Sequence, residues 1–322
     1  MRIMITGAGG PAAISIWKSL YPQHELHMAD MDPCAAGLYL VPAAQRLIVP
    51  RGDSPEFVGS VQEACRVRGI EMLLSTVDAE LVPVAEAASS FEAGGTRVPL
   101  SPVETLRLCR DKYLLLEHLK HAVPVPEFGL LSAATLDQAL VFPLFAKPRL
   151  GAGSRGIALI HHKDDLRALP LDGSYLLQEW LPGEEYSVDC YVRSDGVVLA
   201  AVPRDRMKTD SGIAVASRTR HLDELIEAGA NTAQVAGIRY VANVQFKRAS
   251  DGRFKLLEIN PRFPGTLPLT TAAGIDIPAL LVADVRGEPL PDTLLPFREL
   301  MVVRYWTEQF FDPGEWTQLC RP

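Results

Sequence analysis

The chain has 322 residues, 48% of them hydrophobic, and a formal net charge of −7. That is enough chain for two or three packed subdomains around a sizeable core, and the acidic balance argues against nucleic acid as the main partner. No apolar run approaches the ~18 residues of a membrane helix, so no membrane partner is expected; the five cysteines are scattered without a C-x-x-C pair, which fits a reducing, cytoplasmic setting with neither disulfide frame nor zinc site.

The start, Met1-Arg2-Ile3-Met4-Ile5-Thr6-Gly7, lacks the basic head, long apolar stretch and cleavage site of a signal peptide. Residues 3–6 read instead as a first buried strand, followed by a turn over 7–11 and a helix over 12–20. A strand over 25–29, a helix around 58–67 and a strand over 70–75 continue the alternation, which is the pattern of a parallel α/β sheet. Gly7-Ala8-Gly9-Gly10-Pro11-Ala12 fits G-x-G-x-x-A between strand and helix, with Asp30 and Asp32 about 20 residues on. In a dinucleotide site such a turn holds pyrophosphate on backbone N–H groups and a helix N-terminus. A tight strand-to-helix turn, with Pro11 pre-setting the first helical turn, accounts for the same residues. Ser75-Thr76-Val77-Asp78-Ala79-Glu80 follows a strand of this sheet and is a candidate wall of a substrate cleft.

Leu100-Ser101-Pro102 marks a boundary. Residues 105–119 read as one helix, stopped before Pro124 and Pro126. A strand over 143–148, a glycine-rich turn over 151–156 and a strand over 157–161 form a hairpin. Lys147 stands at the strand end beside that turn, where its ammonium can reach a phosphate. Gly151-Ala152-Gly153-Ser154-Arg155-Gly156 can close over a triphosphate with its N–H groups as donors, although it is not a G-x-x-x-x-G-K-[ST] loop. His161-His162 has no third ligand at a useful spacing and reads as a solvated pair. Strands follow over 175–180, 185–192 and 197–202. The first ends in Gln178-Glu179-Trp180-Leu181, which offers main-chain groups to an adenine edge and a carboxylate to ribose hydroxyls. Residues 204–212 read as a charged loop whose cations, Lys208 among them, can meet phosphate or carboxylate. A helix over 222–236, strands over 241–247 and 254–259 turning at 250–252, and a last core strand over 300–306 complete the chain.

The final constellation is Asn243-Val244-Gln245-Phe246 with Leu256-Leu257-Glu258-Ile259-Asn260-Pro261-Arg262. Alternate residues of a strand share a face, so Glu258 and Asn260 point the same way between buried apolar neighbours. Two such polar groups need partners. Magnesium, or manganese in its place, supplies them when it bridges phosphate oxygens, and Gln245 on the neighbouring strand offers a third oxygen.

These two segments resemble the metal-binding strands of the ATP-grasp superfamily, and in particular the synthetase repeat of the carbamoyl-phosphate synthetase large subunit. The resemblance runs from the N-terminus to about residue 287. It implies an α/β chain: a doubly wound parallel-sheet domain over 1–101, then a two-lobed α+β ATP-grasp fold. The small lobe, 102–175, would carry the glycine-rich loop, and the large lobe, 176–322, the metal site. It implies ATP and Mg2+ as cofactors. Lys112 and Lys147 would bind the phosphates, with Gly151, Gly153, Ser154, Arg155 and Gly156 covering them. Glu179, Trp180 and Leu181 would line the adenine and Glu185 would hold the ribose. Gln245, Glu258 and Asn260 would bind magnesium, Arg262 would face an acyl phosphate, and Lys208 would be a second catalytic cation.

Carbamoyl-phosphate synthetase carries two such units in tandem, and this chain has one. The single-unit form is similar to carboxylate–amine ligases, which phosphorylate a carboxylate and let an amine displace the phosphate. The expected function is therefore an ATP-dependent ligase joining an amino acid or other small carboxylate to an amine, releasing ADP and phosphate, with a homodimer allowed. The alternatives are a nicotinamide-dependent dehydrogenase using the N-terminal glycine turn, a carboxyphosphate former, and a nucleotide sensor without catalysis.

Overall fold

The computed structural model describes residues 1–151, 156–210 and 213–319. The first sheet is parallel, in the order β3-β2-β1-β4, from β1 (Arg2–Thr6), β2 (Glu25–Asp30), β3 (Arg46–Ile48) and β4 (Met72–Leu74). Successive residues of β1 serve opposite faces: Ile3 and Ile5 pack with Ile16 of the helix Pro11–Leu20, and Met4 packs with Phe57 and Val61 of the helix Phe57–Arg68. A parallel sheet needs this cover on both faces. Its carboxyl ends bring Thr6, Asp30 and Ser75 to one edge.

The second sheet is antiparallel, in the order β5-β8-β6-β7, from β5 (Phe128–Ser132), β6 (Leu144–Pro148), β7 (Ala158–Ile160) and β8 (Asp172–Glu179). The expected hairpin is therefore β6 and β7. β8 belongs to this sheet as far as Glu179, across the lobe boundary expected at residue 175. The helix expected over 105–119 is two helices, Val103–Arg110 and Lys112–Leu119. Asp111 separates them with an extended backbone, and its Oδ1 accepts the N–H groups of Tyr113 and Leu114 at 3.1 Å each. Aspartate favours this capping role over a helix interior, which is why an apolar period alone does not reveal the break.

The third sheet is antiparallel, in the order β13-β12-β9-β10-β11-β14, from β9 (Glu185–Val192), β10 (Val198–Asp210), β11 (Ile213–Thr219), β12 (Tyr240–Arg248), β13 (Phe254–Asn260) and β14 (Met301–Val303). One face packs on the helix Asp223–Val235. There Gly229 lies so close to β9 that a Cβ would stand 2.6 Å from Val188 Cγ1. The other face brings Tyr191, Leu199 and Val202 into the core that holds Ile3, Ile16 and Leu281, so the large lobe and the N-terminal domain share one apolar interior. Two expectations change here. Residues 204–210 are the second half of β10, paired with β11 through register shifts around Lys208, and not a loop; Arg204 and Asp205 are still buried, the residues from 207 on are exposed, and bulges re-aim the strand's end. Residues 211 and 212 lie outside the described residues. Of 300–306 only Met301–Val303 pairs, as an exposed edge strand and not a core strand. Among the described residues no helix is long and apolar enough to cross a membrane.

Candidate active site

The β12–β13 register sets Gln245 opposite Glu258 and Asn243 opposite Asn260. Asn260 Nδ2 donates to Glu258 Oε1 at 3.0 Å, so the two do share a face. The donor set is one carboxylate and two amide oxygens, and no group of three His, Cys, Asp or Glu that could hold a metal by itself is present among the described residues. Hard oxygens with a single charge suit magnesium that arrives with phosphate and keeps part of its octahedron for it.

Lys147, on β6, is 6% exposed and donates from Nζ to the carbonyl of Leu257 on β13 at 3.2 Å. Burial pulls its ammonium down to about 8; Lys112 adds to the fall, and Glu258 and Glu185 oppose it. The sequence reading gives these four groups to one nucleotide site: Lys112 and Lys147 to the phosphates, Glu258 to magnesium and Glu185 to the ribose. Lys112 Nζ donates to the carbonyl of Gly151 at 2.6 Å. Arg149 Nε reaches Asp111 Oδ2 at 2.8 Å and its Nη2 at 2.7 Å, which ties the root of the glycine turn to the helix cap. Gly151 and Gly156, at φ of 121° and 70°, bracket that turn. Gly153, Ser154 and Arg155 lie outside the described residues. Glu179 accepts from Lys255 Nζ at 2.6 Å and from the N–H of Glu127 at 3.1 Å, a bridge between the lobes. Trp180 is exposed and Leu181 buried. Glu185 pairs with Arg206 at 3.2 Å.

Beside Gln245 and Asn260 lies a cavity of about 110 Å³ with Asn243, Arg204, Arg206 and Arg262 in its wall. Arg262 spans to the N-terminal domain, where its Nε and Nη2 fork the carboxylate of Asp78 at 2.8 and 3.1 Å. Thus the segment after β4 does reach the cleft. Arg204 forks Asp189 at 2.7 Å (Nε to Oδ2) and 2.6 Å (Nη2 to Oδ1). Asp189 is fully buried, and it also accepts from Asn243 Nδ2 at 2.8 Å and from the Thr270 hydroxyl. Lys208 is exposed farther along β10 and is not in this wall. The sequence reading misses Asp189, and it has Arg204 only as one cation of a charged loop and Asn243 only as part of the metal-strand segment. A signal was available: Asp189 interrupts the apolar run Tyr186 to Val192, and a buried charge demands a partner just as Glu258 does.

The N-terminal glycine turn spends its donors within the chain. Gly9 N–H donates to Asp30 Oδ2 at 2.8 Å, Gly10 N–H to the carbonyl of Gly7 at 2.9 Å, and Asp32 N–H to Asp30 Oδ1 at 2.9 Å. Gly7 has a φ of 67°, and a Cβ on it would lie 2.5 Å from Val77 Cγ2. The tight-turn account therefore explains these residues. Nearby, Thr6 Oγ1 donates to Glu80, whose carboxyl burial pushes up to about 7; Asp30 pushes the same way, and the hydroxyl opposes.

Comparison with known proteins agrees with this geometry. Residues 172–309 match the family model described as ATP-grasp in the biosynthetic pathway with Ter operon, and residues 3–99 match the PylC-like N-terminal domain. The D-alanine--D-alanine ligase of Thermotoga sp. (strain RQ2) is 28% identical over 203 residues, 58% of this chain and 65% of the relative. The carbamoyl phosphate synthase large chain of Pasteurella multocida is 23% identical over 225 residues, 63% of this chain and 21% of the relative. The chain thus spans less than two thirds of the length of either relative. The crystal structure of N5-carboxyaminoimidazole synthetase from Staphylococcus aureus complexed with ADP superposes with a TM-score of 0.73 at 17% identity, covering 92% of this chain and 79% of that one, which supports the fold. Sheets, cleft and family matches converge: the chain carries an ATP-grasp domain behind a PylC-like N-terminal domain.

Proposed function

We propose that the protein is an ATP-dependent carboxylate–amine ligase that works through an acyl phosphate and releases ADP and phosphate. The observation that carries this reading is the buried Lys147 bonded to the carbonyl of Leu257 on β13, the strand whose Glu258 and Asn260 share a face, with Gln245 and Asn260 beside an arginine-walled cavity. A ligase among the relatives supports it. Phosphoryl transfer asks a protein for positioning and charge neutralisation more than for covalent chemistry. Lys147 and Lys112 would neutralise the phosphates, with residues 151–156 over them. Glu179, Trp180 and Leu181 would meet the adenine, and Glu185 the ribose. Gln245, Glu258 and Asn260 would hold magnesium, which would neutralise charge on the phosphates during transfer. Arg262, whose fork suits carboxylate and phosphate oxygens alike, would leave Asp78 in part to hold the carboxylate being activated. We assign residues 1–101 to the N-terminal domain, 102–179 to the small lobe and the remainder to the large lobe.

The reaction balances without a further reagent. A carboxylate oxygen attacks the γ-phosphorus as ADP leaves; the amine then attacks the acyl carbon, phosphate departs with that oxygen, and the amine gives up a proton. The test is a panel of paired carboxylates and amines scored for phosphate release with ATP and magnesium, for the wild type and Glu258→Ala. We expect release with at least one pair and its loss in the variant. Stabilisation by nicotinamide cofactors and not by ATP with magnesium would sink the reading.

A further inference from the structure

The sheet of the large lobe ends on an open edge. Among the described residues β14 pairs only with β11. The carbonyl of Leu300 accepts the N–H of Thr219, and Arg304 N–H donates to the carbonyl of Val215, each at 2.9 Å; between them Val302 stands opposite Ser217. Backbone groups alternate between the two sides of a strand, so residues 300, 302 and 304 face β11, and the N–H and C=O groups of Met301 and Val303 face outward. The side chains there are open as well. Met301 and Val303 are exposed, and Tyr305, Trp306 and Phe310 are 85%, 90% and 93% exposed. The run Leu300-Met301-Val302-Val303-Arg304-Tyr305-Trp306-Thr307 is rich in β-branched and aromatic residues, and it holds neither the proline nor the lysine that commonly blunts an edge. It is not a loose tail. Beyond it the Phe311 ring lies 4.7 Å from that of Tyr39, and Glu315 pairs with Arg46 at 2.9 Å. The run is thus pinned to the large lobe at one end and to the N-terminal domain at the other.

The geometry points to a second copy of this chain as the occupant of the edge: two β14 strands pair antiparallel about a twofold axis and join two six-stranded sheets into one. Identical strands paired in this way make a self-complementary interface. Charge selects the register. The outward positions 301, 303 and 305 must be the hydrogen-bonded ones. With Val303 opposite the partner's Val303, Met301 meets the partner's Tyr305, Leu300 meets the partner's Trp306, and Arg298 meets the partner's Glu308. Thioether against ring, aliphatic against indole and cation against carboxylate are all favourable cross-strand pairs. Sliding the register by two residues one way opposes Arg304 to the partner's Arg304. Sliding it the other way sets Arg298 against the partner's Trp306 and leaves no oppositely charged pair. No residue of the proposed ATP site takes part in this pairing, so it stands apart from the ligase reading.

Sedimentation velocity of the full chain over a range of concentrations reads the association, and amide hydrogen exchange at low and high concentration reads the edge. The wild type should dimerise with a dissociation constant in the micromolar range or tighter, and the N–H groups of Met301, Val303 and Tyr305 should gain protection as the dimer forms. Glu308→Arg, at an exposed position, should leave the unfolding midpoint unchanged and weaken the dimer at least about tenfold, because the twofold turns both charge pairs repulsive. Adding Arg298→Glu reverses both charges and should recover most of that loss. Val303→Lys sets two lysines face to face across the axis and should abolish the dimer without unfolding the monomer. A wild type that stays monomeric, a dimer that leaves those three amides unprotected, or a dimer indifferent to Val303→Lys would overturn the pairing. Equal association of the wild type and Glu308→Arg, or a folded double variant as weak as Glu308→Arg alone, would overturn the register.

Discussion

Lys147 and Asp189 are charged residues folded into apolar surroundings, and each is handled differently. Among the described residues Lys147 has no carboxylate in hydrogen-bond reach and the carbonyl of Leu257 is its bonded partner; burial lowers its pKa to about 8 from 10.5. The native protein therefore gives up this proton before the unfolded chain does. Between about pH 8 and 10.5 the unfolded chain binds more protons, and stability rises with pH across that window. Phosphate binding moves the other way, because it needs the ammonium. We expect kcat/KM for ATP to fall as pH rises through about 8, and the fall to be absent in Lys147→Arg; a profile flat to pH 9.5 would remove Lys147 from the phosphates. Asp189 is neutralised instead by the fork of Arg204, with Asn243 and Thr270 filling its remaining lone pairs. Breaking a buried pair from one side strands the other charge, so Asp189→Leu should cost about 3–5 kcal/mol in urea unfolding. Pairing that change with Arg204→Met should restore much of the stability, because it leaves no stranded charge; no recovery in the double variant would mean that the pair's polar contacts, and not its charge balance, hold the fold.

At the scale of elements, the reading from sequence succeeds where one face of a strand must be apolar and fails where a polar side chain redirects the backbone. β12 and β13 are legible because Gln245, Glu258 and Asn260 break the apolar pattern at a spacing of two, and the register pairs Gln245 with Glu258 as that spacing requires. The β6–β7 hairpin is legible from its glycines. The break at Asp111 is not, since leucines at 106, 108, 115, 116 and 119 keep a helical period across it. Nor is the continuation of β10, where charges at 204–208 look like a solvated loop until Asp189 and Glu185 on β9 are seen to receive Arg204 and Arg206. Pairs so far apart in sequence are set by the fold, and no local spacing announces them. The cap also bears on function, because Asp111 holds Arg149 at the root of the glycine turn. Asp111→Ala should cost about 1 kcal/mol through the lost cap and raise the KM for ATP; loss of stability with an unchanged KM would confine Asp111 to the fold.

Over the whole molecule, the cleft is built by three sheets that meet around few side chains. Lys147 comes from the small lobe, Glu258, Asn260 and Arg204 from the large lobe, and Asp78 from the N-terminal domain through Arg262. The shared apolar core of the N-terminal domain and large lobe fixes the base, and the Lys255–Glu179 pair joins the lobe that carries the glycine turn. On the proposed ligase reading, such an arrangement would bring a nucleotide, a carboxylate and an amine into one space that shields an acyl phosphate from water. The measurement that tests this most directly follows oxygen. With a carboxylate substrate labelled with 18O, drawn from the pairs that release phosphate, the account requires ADP and inorganic phosphate carrying one labelled oxygen from the carboxylate. Unlabelled phosphate, or AMP with pyrophosphate, would contradict it.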